Sequence, residues 1–183
     1  MSELTLAFVQ AALNAPVSTQ ADVATRIITD SREAKAGDVF VALVGEQFDG
    51  HDYVADVLAK GVAAVIVSRE VVAGDARQIM VADTLAALGQ IAQAWRLKWN
   101  PKIVALTGSN GKTTVKEMCA AILREAVGED AVLATAGNFN NEIGMPLTLL
   151  RLQAVHKVAV LEMGMNHFGE LARLTQIAKP DVA

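Results

Sequence analysis

Cysteine is nearly missing from this 183-residue chain: Cys119 stands alone, which excludes an intrachain disulfide. Its place in an expected helix, just past a glycine-rich turn, suits a small core side chain rather than a nucleophile, and no redox role is expected. Nor is there an excess of basic residues. Lys and Arg number 16 against 20 Asp and Glu, a formal net charge of -4; the balance is 8 against 12 over residues 1–100 and 8 against 8 over 101–183. Nucleic-acid binding therefore has little electrostatic support, and a phosphorylated ligand must be held by local geometry. No apolar run approaches the roughly 18 residues of a membrane span. The start, Met1-Ser2-Glu3-Leu4, lacks the basic region of a signal peptide, so the cytoplasm is the expected location. Aromatic residues are scarce at 4% while hydrophobic residues reach 52%, so Ala, Val, Leu and Ile carry the apolar content. That balance fits α/β folds whose buried parallel strands are aliphatic, and the length allows one large or two small domains.

The most informative stretch is Val104-Ala105-Leu106-Thr107-Gly108-Ser109-Asn110-Gly111-Lys112-Thr113-Thr114, an apolar strand running into a glycine loop that ends in Gly-Lys-Thr. Small residues let consecutive backbone N–H groups close around an anion, and the helix that follows adds its positive end. Lys112 supplies a point charge for the outer phosphates and Thr113 a hydroxyl for Mg²⁺. Thr107, Gly108, Ser109, Asn110, Gly111, Lys112, Thr113 and Thr114 are the candidate nucleotide-binding residues. The general phosphate-loop template has a glycine where this chain has Leu106; the first glycine here is Gly108, giving the shorter T-G-x-x-G-K-T.

Around that loop the chain alternates. Leu4, Phe8, Ala11 and Ala12 recur at helical spacing before Asn14-Ala15-Pro16 breaks the pattern. Strands are predicted at 26–29 and 39–43, a helix over 52–60, and strands at 63–67 and 78–81. Asp83 reads as the N-cap of a helix through Trp99, with Leu85, Leu88, Ile91, Ala92 and Trp95 as its apolar stripe. Next come a strand at 103–106, a helix from Lys112 to about Glu125, a strand at 132–134, a helix from about Met145, a strand at 158–162 and a helix over 168–178. Fold class α/β is expected: a small N-terminal α/β domain over 1–83, then a phosphate-loop domain over 84–183 with a doubly wound, mainly parallel sheet whose ligands sit at the carboxyl ends of the strands. Lys179 to Ala183 look like a loop entering another strand, which suggests the front part of a larger protein.

Other groups could do chemistry. Glu162 ends an apolar strand and precedes Met163-Gly164-Met165-Asn166-His167, placing a carboxylate where the phosphate loop opens. Magnesium prefers hard oxygen ligands, so Thr113, Glu162 and nucleotide phosphates form a plausible shell. His167 is a candidate for the substrate or metal region, the alternative being a solvated loop histidine. Asn138, Asn140 and Asn141 lie between Gly137 and Gly144, where amides either recognise a ligand or simply turn and cap the chain. Residues 29–32 and 45–53 are polar loops after strands; Asp30 and Asp52 read there as turn and helix caps.

In order, T-D-S-R at 29–32, V-F-V-A-L-x-G-E-x-F-D-G-H-D-Y at 39–53, T-G-S-N-G-K-T-T at 107–114, G-N-F-N-N-E-I-G-M-P at 137–146 and E-M-G-M-N-H-x-G-E at 162–170 resemble the Mur ligases, the ATP-dependent amide-forming enzymes of peptidoglycan precursor synthesis. The last two motifs look most like the member that adds D-alanyl-D-alanine to UDP-MurNAc-tripeptide. The resemblance implies an N-terminal domain for the UDP end of the substrate, a central domain for ATP with Mg²⁺, and a third domain to which nothing in 1–183 corresponds. It implies transfer of a phosphoryl group to the tripeptide carboxylate, giving an acyl phosphate that the amine of D-Ala-D-Ala attacks. Lys112, Glu162 and His167 become the catalytic candidates and Thr113 with Glu162 the metal ligands. Ser31, Arg32, Gly45, Phe48, His51, Asn138, Asn140 and Asn141 become substrate contacts. No oligomer is expected, and the isolated stretch should bind better than it catalyses. Alternatives are the diaminopimelate- or lysine-adding Mur ligases, folylpolyglutamate synthase, a phosphate-loop module that makes no bond, and a small-molecule phosphotransferase.

Overall fold

A computed structural model of the chain describes residues 4–16 and 25–183. They form two compact units, divided between Ile91 and Ala92.

The first unit opens with helix α1, Leu6–Ala12, capped by Thr5, whose hydroxyl accepts from Phe8 N at 3.3 Å. Its buried residues are Leu6, Val9 and Gln10, not the Phe8, Ala11 and Ala12 of the expected stripe: the larger aliphatic pair, three residues apart, takes the inner face. Strands β1 (Ile27–Ile28), β2 (Val39–Val41), β3 (Ala64–Val67) and β4 (Gln78–Met80) make a parallel sheet in sequential order. Helix α2, Val54–Ala59, joins β2 to β3 and packs Val54, Val57 and Leu58 against Ile28, Phe40, Val65 and Val67. The opposite residues Ile27, Val39, Val41, Ala64 and Ile66 are buried as well, which is why these strands read as unbroken apolar runs. The expected helix over 52–60 begins instead as a 3₁₀ turn, Gly50–Tyr53, because Asp49 caps it by accepting from His51 N at 2.9 Å. A similar cap, Asp30 accepting from Arg32 N, starts a turn at Ser31–Glu33 and keeps β1 short.

Helix α3, Thr84–Trp99, is capped as expected by Asp83, which accepts from Leu85 N and Ala86 N. Ala87, Leu88, Ile91, Ala92 and Trp95 are buried, whereas Leu85 is only half-buried. Its last turns belong to the second unit, where Trp95 Nε1 donates to Leu152 O at 3.0 Å and Arg96 Nε to Ala178 O at 2.9 Å.

The second unit continues with β5 (Lys102–Leu106), α4 (Lys112–Val127), β6 (Val132–Ala134), α5 (Gly144–Leu149), β7 (Val158–Glu162) and α6 (Glu170–Ala178). The helix expected from Phe168 starts only at Glu170, since Phe168 points to solvent and Gly169 is left-handed at φ 79°. Strand order is β5-β7-β6, all parallel, and Val104 makes a further parallel bridge to Val182. Val104, Leu106, Val132, Ala134, Val158 and Val160 meet Cys119, Ala120, Leu123 and Val127 of α4. Ile103, Ala105, Leu133, Ala159 and Leu161, on the other face, are buried too, so both faces of the sheet are covered. This order sets Leu106 opposite Glu162 in register, and both strands deliver their following loops to one edge. No helix among the described residues is long and apolar enough to cross a membrane.

Candidate functional site

The loop after β5 turns on glycine geometry: Gly108 has φ 147° and Gly111, directly before α4, has φ 75°, conformations that a side chain resists. Between them Ser109 and Asn110 are exposed, leaving open backbone at a helix N-terminus. Lys112 folds back over this loop, its Nζ donating to Gly108 O at 2.7 Å. Thr107 anchors the other end by donating to Met163 O at 3.0 Å, so its hydroxyl holds the loop to the strand beside it. Thr114 is exposed on the first turn.

Glu162 occupies the centre of the arrangement and is only 3% exposed. Its carboxylate accepts from Thr113 Oγ1 at 2.8 Å on one oxygen and from Asn140 Nδ2 at 2.8 Å on the other, while its own N–H donates to Thr135 Oγ1 at 3.0 Å. Thus the sequence candidates Thr113, Asn140 and Glu162 meet at the carboxyl end of the sheet, and Lys112 precedes Thr113 on the loop. A carboxylate and a hydroxyl in contact are hard oxygen donors that fit Mg²⁺. Among the described residues no group of three or more His, Cys, Asp or Glu could hold a metal alone. An ion held there would need further oxygens, from phosphate or water, to fill its shell.

The remaining candidates divide. Asn141 is a cap: its Oδ1 accepts from Gly144 N at 2.8 Å and Ile143 N at 3.2 Å at the start of α5, so its oxygen takes the capping alternative while the residue stays exposed. Asn138 is exposed in the same loop, which Arg173 of α6 ties down through an ion pair with Glu142. His167 is exposed, and its backbone is fixed by Glu170, a 1% exposed carboxylate that accepts from Asn166 N at 2.7 Å and His167 N at 3.3 Å. Glu170, Thr135 and Lys116 were not legible as site residues.

In the first unit Ser31 and Arg32 line a shallow cleft with Tyr53, Asp56 and Lys60, whose Nζ donates to Ser31 O at 2.8 Å. Arg32 is exposed and paired with Asp30 at 2.6 Å, the guanidinium holding that carboxyl down to about 2. Gly45 N donates to Phe48 O at 2.9 Å in a hairpin-like turn, and a Cβ at Gly45 would lie 2.7 Å from the Phe48 ring, itself exposed. His51 departs from the expectation of an open ligand contact. It is 1% exposed, Nδ1 lies 2.6 Å from Asp49 Oδ1, and Nε2 accepts from Ser68 N at 2.9 Å. A ring whose Nε2 accepts a backbone N–H carries its proton on Nδ1, so both nitrogens are spent holding the loop.

Asp49 joins this turn to Arg69 at 2.8 Å, and its carboxyl is held down to about 2, chiefly by the His51 N–H and then by the Arg69 guanidinium. A carboxyl depressed in the native state stabilises the fold above its unfolded value of about 3.9, and that contribution fades as pH falls toward the native value. Asp49→Asn should therefore lower the urea-unfolding free energy at pH 7, with the gap to the parent closing between about pH 4 and 2. A gap constant with pH would contradict this role.

Comparison with known proteins agrees with the geometry. Residues 106–183 match the Mur ligase middle domain, and residues 24–96 match the model described as Mur ligase family, catalytic domain. The UDP-N-acetylmuramoyl-tripeptide--D-alanyl-D-alanine ligase of Haemophilus influenzae is 47% identical over 159 residues, 86% of this chain and 35% of that protein. The Escherichia coli ligase of the same name is 46% identical over 157 residues, 86% of this chain and 34% of that protein. The chain thus spans about a third of the length of these curated relatives. Among solved structures, MurF from Acinetobacter baumannii superposes with a TM-score of 0.87 at 40% identity, over 98% of this chain and 40% of that one. MurF from Thermotoga maritima in complex with ADP gives 0.80 at 36% identity, over 87% of this chain and 36% of that one. From the ordered motifs, the convergent site and these matches over both units, the chain belongs to the Mur ligase family.

Proposed function

We propose that the second unit holds ATP with Mg²⁺ across residues 107–114 and the first unit holds the UDP end of a UDP-MurNAc-tripeptide. In a protein of its relatives' length, the two serve an ATP-dependent ligase that joins D-Ala-D-Ala to the tripeptide carboxylate in cytoplasmic peptidoglycan synthesis. The observation that carries this reading is the 2.8 Å contact between Thr113, on the helix that opens at the phosphate loop, and the buried Glu162 at the end of the neighbouring strand. The names of the relatives and the ADP complex of one structural neighbour support it.

The chemistry follows from the need of the step. A carboxylate is a poor electrophile; ATP supplies the phosphoryl group that turns its oxygen into a leaving group, and Mg²⁺ the charge that offsets the phosphates. Lys112, poised over the loop on the Gly108 carbonyl, exchanges that acceptor for phosphate oxygens and places a cation where negative charge gathers. Thr113 and Glu162 would hold the ion, the hydroxyl and the carboxylate each offering an oxygen lone pair. The Gly108 to Gly111 backbone contributes N–H groups that need no charge of their own. His167, exposed after β7, is assigned to the substrate side of the nucleotide together with Asn138 and Asn140. Ser31 and Arg32 are assigned to the diphosphate of the UDP ligand, where an exposed guanidinium can trade Asp30 for phosphate oxygens.

Separate calorimetric titrations with UDP-MurNAc-tripeptide and MgADP test the reading. Both ligands are expected to bind, each with little effect on the other. Nucleotide binding without the UDP ligand would shift the assignment to a folate-type ligase or a module that makes no bond.

A further inference from the structure

Lys116 stands on α4 one turn beyond Thr113, and it is 1% exposed. Burying an ammonium is costly unless its hydrogen bonds are satisfied, and a residue needed only for packing at this depth would be aliphatic. Its Nζ donates to Thr135 O at 2.7 Å and pairs with Glu117 at 2.6 Å, a carboxylate whose side chain is more than half exposed. Thr135, 2% exposed, directly follows β6; its N–H donates to Val160 O at 3.0 Å and its hydroxyl accepts the N–H of Glu162 at 3.0 Å. A closed circuit results: Lys116 to Thr135, Thr135 to Glu162, Glu162 to Thr113, and back along one turn of α4.

Two links of this circuit differ in kind. The Thr113–Glu162 link uses the atoms assigned to the metal, so a cation held by them would compete with it. The Lys116–Thr135–Glu162 link uses none of those atoms, so a cation would not compete with it. Resting on the nucleotide reading above, we propose that Lys116 and Thr135 are positioning residues for the magnesium site, a buried latch that keeps the Thr113 helix and the Glu162 backbone at fixed separation once their direct contact opens. Groups that orient metal ligands in this way contribute about 10- to 100-fold to metal affinity.

Lys116→Met keeps the length of the side chain and removes the donor; Thr135→Val keeps the shape and removes the acceptor for Glu162 N–H, while Thr135→Ser retains it. ADP binding is measured by calorimetry for the parent and each variant, with saturating Mg²⁺ and with EDTA. Lys116→Met and Thr135→Val are expected to weaken MgADP by about tenfold or more and to leave Mg²⁺-free ADP affinity within about twofold, with Thr135→Ser close to the parent. Parental Mg²⁺ dependence in both variants, or equal losses with and without Mg²⁺, would overturn the latch while leaving the nucleotide reading in place. A parent whose ADP affinity ignores Mg²⁺ would overturn both.

Discussion

Replacing Lys112 with alanine is expected to weaken MgADP binding by about a hundredfold or more while leaving affinity for UDP-MurNAc-tripeptide within about twofold. Charge-assisted hydrogen bonds contribute about 1.5–3 kcal/mol each, so losing one or two contacts to phosphate oxygens brings the affinity down by that factor at 1.4 kcal/mol per tenfold. Other parts of the loop cannot compensate: the N–H groups between Gly108 and Gly111 are fixed in direction by the two positive-φ glycines, and the remaining buried cation nearby, Lys116, is committed to Thr135 O and Glu117. The fold loses little, because in the free chain Lys112 is half-buried and its ammonium makes one bond, to the Gly108 carbonyl. Titration of both ligands into parent and variant, with a thermal scan on each, separates these effects. Loss of both ligands together would contradict two independent sites, one in each unit.

How far the sequence reveals this site depends on whether a residue's role is local. The phosphate loop is local: glycines at 108 and 111, a lysine and a threonine fit one short backbone path, and the observed helix begins at Lys112 as spacing predicts. Glu162 is legible because a carboxylate ending an apolar strand faces the ligand edge of any parallel sheet. Asn140 and Asn141 show the limit, since adjacent amides in one loop take opposite roles, one donating to Glu162 and the other capping α5. Only the direction of each side chain separates them. His51 is misleading for a similar reason: it sits in a polar loop by sequence, but Asp49 and Ser68 draw its ring into the interior.

Lys116 has a signal that composition hides, whereas Thr135 has none. Lys116 reads as a surface lysine in Lys-Thr-Thr-Val-Lys-Glu, yet it shares helical phase with Ala120, Leu123 and Val127, which face the sheet. A lysine on the apolar face needs an acceptor there, and the acceptor lies 19 residues away on another element. Periodicity thus predicts the burial; the fold alone supplies the partner. On α1 the reverse holds, since several apolar residues compete for one face and Leu6 and Val9 displace the stripe through Phe8.

The second large effect comes from Gly144, where backbone packing and site chemistry are joined. A Cβ at Gly144 would fall 2.4 Å from Phe139 Cα and 2.7 Å from Phe139 C, so the clash is with main chain, which cannot swing aside. Relief requires the 137–143 loop to lift from the start of α5, yet the loop is tied at both ends of this contact: Asn141 Oδ1 holds Gly144 N, and Asn140 O accepts Gly164 N at 2.6 Å. Overpacking in such a place costs about 3 kcal/mol, equivalent to a melting-point drop of roughly 6–12 °C for a chain of this size. Because Asn140 follows Phe139 directly, the same displacement draws its amide from Glu162, so Gly144→Ala should also weaken MgADP binding severalfold. Gly137→Ala is the internal control: φ is 50° there but no atom lies within 4 Å of the added methyl, so only the left-handed backbone cost of about 1–2 kcal/mol applies. Asn140→Ala completes the comparison, reproducing the weaker MgADP binding with little change in melting temperature. Equal stability of Gly144→Ala and Gly137→Ala would mean that the loop lifts from α5 at little cost, against the main-chain clash expected here.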